Sequence, residues 1–92
     1  MLLVLLSLTA MAAPVKVKVT DPHGLAVPGA TVQVLERGTA RVLAAATTDE
    51  TGSALVDAPL PSVVRVRAEG FDETVRSLLE ASADSLAVRL TP

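Results

Sequence analysis

From residue 15 to residue 20 the chain reads VKVKVT, an apolar–polar alternation without a fault. Period two places every second side chain on one face of an extended strand, so one face is dry and the other wet. The same alternation returns at residues 30–35 (ATVQVL), 64–69 (VRVRAE) and 85–90 (SLAVRL). Residues 42–48 and 53–57 are shorter β-tolerant runs, the first weakened by three alanines. Residues 74–79 are compatible with one helical turn or with a bulged strand. Turn signals separate these runs at intervals of roughly 8–12 residues, and no stretch carries a helical apolar stripe, which is the pattern of an all-β sandwich or barrel.

The turns themselves are readable. Asp21-Pro22-His23-Gly24 supplies an aspartate to cap the bend and a glycine to end it, and Pro28-Gly29 suits the central positions of a type II turn. Asp49-Glu50-Thr51-Gly52 has the composition of a hairpin turn and is expected to fix a hairpin register between the strands on either side. Pro59-Leu60-Pro61 forbids regular ladder pairing at both prolines and marks a rigid corner. The expected core is Val15, Val17, Val19, Val32, Val34, Leu55, Leu60, Val64, Val66, Phe71, Val75, Leu86, Val88 and Leu90. Phe71, the sole aromatic residue, is expected to plug one end of the sandwich.

Ahead of the first strand lies MLLVLLSLTAMAA, an apolar run too short to span a bilayer as a helix, which takes about 20 residues. It suits the core of a signal peptide, with Ala10-Met11-Ala12 as a small-x-small cleavage pattern, although no positive charge precedes Leu2. Residues 1–12 are therefore expected to be a signal peptide, truncated at its start or preceded by further sequence. Residues 13–92 are expected to form a single domain, exported to the periplasm, the outer membrane or the exterior. The formal charge of −2, with eight scattered Lys and Arg residues, is not that of a nucleic-acid binder. The absence of cysteine excludes disulfides and thiolate metal sites.

The candidate reactive groups are few. His23 is the only histidine, and no serine or threonine near it sits in a nucleophile-elbow setting, so it reads as a solvated turn residue. One histidine without cysteine is a poor start for zinc. Asp49-Glu50 and Asp72-Glu73 lack the alternate-position oxygen ligands of a calcium loop and read as turn residues. Gly24, Gly29 and Gly52 are too widely spaced to cradle a phosphate. Arg65, Arg67 and Arg89 share the polar phase of their strands and would form a modest basic patch if those strands were neighbours. No catalytic residue, cofactor or metal is assigned.

The order of these elements is itself informative. VKVKVTD, a turn, VPGATVQV, TTDETGSALV and LPSVVRVRAEGF succeed one another, and this succession resembles the carboxypeptidase regulatory-like domain. The matching positions are Asp21, Gly24, Pro28, Gly29, Ala30, Val32, Thr48, Asp49, Gly52, Leu55, Gly70 and Phe71. The resemblance implies a seven-stranded, Greek-key, transthyretin-like β-sandwich and a non-catalytic accessory module. Such modules are found at the N-termini of TonB-dependent outer-membrane receptors, which implies an adjoining plug and barrel or another protein partner, with no nucleic acid and no membrane insertion of the domain itself. Two other readings compete. A surface adhesion or carbohydrate-binding module would want exposed aromatic rings, and isopeptide-bonded adhesins use an asparagine, a residue this chain lacks. A 5-hydroxyisourate hydrolase would want several histidines and a terminal Tyr-Arg-Gly-Ser, whereas this chain ends Arg-Leu-Thr-Pro.

Overall fold

The computed structural model describes residues 13–59, 61–78 and 85–92. The expected signal peptide over residues 1–12 and the core assignment of Leu60 lie outside these residues. Seven strands follow in chain order: β1 (Ala13–Thr20), β2 (Thr31–Glu36), β3 (Val42–Thr47), β4 (Ser53–Ala58), β5 (Ser62–Arg67), β6 (Thr74–Leu78) and β7 (Ser85–Arg89). They form two layers, a three-stranded sheet of order β4-β1-β7 and a four-stranded sheet of order β3-β2-β5-β6. The expected all-β sandwich is observed, with no helix among the described residues. The ambiguous stretch at residues 74–79 is a strand through Leu78, paired antiparallel to β5.

Burial follows the alternation. Val15, Val17 and Val19 of β1 face Val32 and Val34 of β2 and Val64 and Val66 of β5, all at 1% exposure or less. Val88 and Leu90 close the core beside β1, while Leu86 and Phe71 are half-buried against it. Each fully buried valine contributes about 1.5–3 kcal/mol of transfer free energy, so the valine stripes dominate the stability.

Two core assignments fail, both for reasons of register. Leu55 is 67% exposed, because it stands opposite Lys16 on the outer face of β1. Directly paired residues share a face, so the partners of Val17 and Val15, namely Ala54 and Val56, go inward with Ala58. Val75 is 52% exposed for the same reason, since it pairs with the outward-facing Arg65. The buried set also includes Val27, Ala30, Leu35, Leu78, Thr48 and Ser62. The Ser62 hydroxyl is buried with no hydrogen-bond partner among the described residues.

The expected hairpin at Asp49–Gly52 is corrected as well. The loop has hairpin geometry, but β3 and β4 belong to different sheets, so it carries the chain from one layer to the other. β1 and β7, by contrast, are parallel neighbours, in register from Lys16↔Ser85 to Thr20↔Arg89. The chain therefore begins β1 at one pole of the sandwich and ends β7 at the opposite pole.

Candidate functional site

Loops at the pole where β1 and β7 end hold the matching positions of the sequence pattern except Val32, in β2, and Leu55, in β4. Asp21, Gly24, Pro28, Gly29 and Ala30 lie between β1 and β2, Asp49 and Gly52 between β3 and β4, and Gly70 and Phe71 between β5 and β6. The registers Lys18↔Ser53, Thr31↔Thr47, Thr31↔Arg67 and Val66↔Thr74 bring the three connections to that end.

Two of these loops are copies of one design. In Asp21–Leu25 the backbone N–H of Asp21 donates to the Leu25 carbonyl (2.8 Å), and that of Gly24 donates to the Asp21 carbonyl (3.0 Å). In Asp49–Ser53 the same two bonds recur at 2.9 Å, from Asp49 to Ser53 and from Gly52 to Asp49. The carboxylate closes each loop from inside. Asp21 Oδ1 accepts the N–H groups of His23 (2.8 Å) and Leu25 (2.9 Å). Asp49 Oδ1 accepts the N–H groups of Thr51 (2.9 Å) and Ser53 (3.1 Å), and also the Thr51 hydroxyl (2.6 Å). This is the three-residue hairpin loop in which glycine takes the left-handed position, with φ +82° at Gly24 and +78° at Gly52. The donors stabilise the charged forms. Leu25 and then His23 hold the Asp21 carboxyl below its ordinary value near 3.8. The Thr51 hydroxyl, followed by the Ser53 and Thr51 amides, does the same at Asp49.

A third turn locks the two together. Pro28 and Gly29 occupy its centre, with φ +77° at Gly29, and its closing bond runs through a side chain from elsewhere. The Thr48 hydroxyl donates to the Val27 carbonyl (2.7 Å) and accepts the Ala30 N–H (2.9 Å). The Thr48 backbone adds bonds from Gly29 N–H (3.0 Å) and to the Ala30 carbonyl (2.9 Å). Thr48 is buried, so these partners have no water to replace it. Its position was part of the sequence pattern, but nothing in the sequence shows that its hydroxyl reaches across to another turn. Gly52 is wedged beneath: a Cβ there would stand 2.6 Å from the Val19 carbonyl oxygen and 3.1 Å from Ala26 Cβ and Val27 N.

The side-chain hydrogen bonds at this pole go to holding the loop conformations. His23 is exposed, and only its backbone takes part in the loop. Among the described residues no three His, Cys, Asp or Glu side chains come together as a metal site. An open hollow of about 250 Å³ lies beside the second loop, lined by Lys16, Asp49, Ser53, Ala54 and Leu55, but both loop side chains are engaged in the turn. A second of about 220 Å³ lies at the other pole around Leu35, Glu36 and Gly38. The arginines do not form one patch. Arg65 and Arg67 project from the outer face of one sheet, where Arg65 donates twice to Gln33 (2.9 and 2.6 Å) and Arg67 pairs with Glu73 (3.3 Å). Arg89 stands on the other sheet.

A family model for the carboxypeptidase regulatory-like domain matches residues 14–91, which take in all seven strands but the first residue of β1 and all three signature loops. The chain belongs to this family. No curated protein matches it. As a carboxypeptidase regulatory-like domain it is a non-catalytic β-sandwich module. Within the matched span, Asp21, Pro28, Gly29, Thr48, Asp49 and Gly52 fix the backbone at one pole of the sandwich.

Proposed function

We propose that this domain is an exported, non-catalytic interaction module at the mature N-terminus of a TonB-dependent outer-membrane receptor, holding its own start away from the segment that follows it. The observation that carries the reading is the parallel pairing of β1 and β7. The mature N-terminus before β1 and a segment attached after β7 sit at opposite poles, about 25 Å apart over the length of an eight-residue strand. A domain with that polarity presents its start at the pole far from the segment that follows it. The apolar run at residues 1–12, with its small-x-small pattern, supports export. The adhesive carbohydrate-binding alternative has no support in the placement of Phe71, which packs against the core.

Two measurements test this. N-terminal sequencing of the protein recovered from a periplasmic or membrane fraction is expected to begin near residue 13, and recovery of the intact Met1 form in the cytoplasm would overturn export. Sequencing the gene beyond the codon for Pro92 is expected to reveal a plug and barrel. A stop codon there would reject the receptor assignment and leave the opposite placement of the two ends intact.

A further inference from the structure

Among the described residues the sandwich has four edge strands, β4 and β7 in one sheet and β3 and β6 in the other. Sheet edges carry unpaired backbone groups, and charge or proline normally blunts them. Three of the four are guarded. β4 carries Asp57, β7 carries Arg89, and β6 carries Arg76, which occupies an inward phase opposite Val64, an arrangement that opposes edge pairing. β3 reads VLAAAT and has neither charge nor proline. Among the described residues it pairs with β2 alone, and no backbone bond reaches it from its other side. Val42, Ala45 and Thr47 are exposed along it.

We propose that β3 is a self-association edge, on which the β3 of a second copy of this chain pairs antiparallel about a two-fold axis at Ala45. Three observations favour a second copy over a foreign peptide. The edge is uncharged, so it neither selects a charged partner nor repels its own copy, whereas β4, β6 and β7 would each bring like charges to such a pairing. A copy of β3 is already extended and ordered by β2, so it forgoes the ordering cost that a free peptide meets on binding. With Ala45 on the axis, Ala44 of one copy stands opposite Ala46 of the other, and nothing larger than a methyl group obstructs close approach. The contact is isologous and closes as a dimer, joining two four-stranded sheets into one of eight strands. A single six-residue ladder falls short of the roughly 1,000 Å² of a stable interface, so the dimer forms in the micromolar to millimolar range.

The test uses sedimentation equilibrium and cysteine cross-linking, which the absence of native cysteine makes clean. The chain is expected to show a concentration-dependent monomer–dimer equilibrium, and Ala45→Lys is expected to weaken it at least about tenfold. Val75→Lys on the far edge should leave it unchanged. Under oxidation, Ala45→Cys should yield a disulfide-linked dimer, since facing residues at the axis lie within about 4.5–5.5 Å and inside disulfide range. Val75→Cys should not. Cross-linking also covers the case in which Ala45→Lys lowers the melting temperature. A chain that stays monomeric to about 1 mM with no cross-link at position 45 overturns the proposal, leaving the edge to a strand from a different protein. So does a dimer that Val75→Lys breaks and Ala45→Lys spares.

Discussion

Thr48 contributes one hydroxyl to the fold, and that hydroxyl closes a turn to which Thr48 does not belong. Replacing it with valine preserves shape and burial but leaves the Ala30 N–H and the Val27 carbonyl without a partner. Each buried orphan costs about 1–3 kcal/mol, so Thr48→Val is expected to lose about 3 kcal/mol in chemical denaturation, while Thr48→Ser keeps the hydroxyl and stays within about 1 kcal/mol of the parent. Gly24 and Gly52 offer a second comparison, because they occupy the same position in equivalent loops with nearly the same φ. A Cβ at Gly24 meets nothing within 4 Å, so Gly24→Ala carries only the left-handed backbone penalty of about 1–2 kcal/mol. At Gly52 the new atom collides with the Val19 carbonyl, and Gly52→Ala is expected to cost about 3 kcal/mol or more. Equal losses in the two variants would show that backbone conformation alone sets the requirement. These residues were visible in the sequence as turn formers, but their inequality was not, because it depends on what the fold packs beneath each loop.

At the level of elements, the legible strands were those whose two phases differ sharply. β1 alternates valine with lysine, and its phase is unambiguous. β4 offers Ala54, Val56 and Ala58 against Leu55 and Asp57, and size favoured the leucine although Asp57 shares its phase and points outward with it. β6 is an edge strand with polar residues in both phases, so period two carries little information there. The turn at Asp49–Gly52 was recognised as a turn, yet local chemistry cannot show that the strands beyond it part into different layers. The twin aspartate loops do carry a consequence for pH. Both carboxyls titrate below their ordinary value near 3.8 in the folded protein, so in acid the unfolded chain binds more protons than the native one. Stability from these loops is complete above that value and is lost as pH falls through the lowered folded values. The melting temperature is expected to decline below about pH 4. In the double variant Asp21→Asn, Asp49→Asn the decline should be shallower, with a lower plateau at neutral pH. An unchanged slope would assign the acid sensitivity to other carboxylates.

For the molecule as a whole, the pairing of β1 with β7 has a mechanical side. Tension applied through the two ends of the chain draws β1 toward one pole and β7 toward the other, and the five paired positions between them lie across the pull. Such rungs slide and must break together, whereas rungs loaded from one end part in succession. Attachment at His23 and Pro92 reaches the same ladder from a single pole and loads Thr20↔Arg89 first. In single-molecule force spectroscopy the end-to-end geometry is expected to rupture at several times the force needed with a handle at His23→Cys, since forced unfolding follows the unfolding barrier along the direction of pull. Similar forces in the two geometries would place the mechanical resistance elsewhere. The strand order that separates the two poles thus also makes the domain stiffest along the line between its two ends.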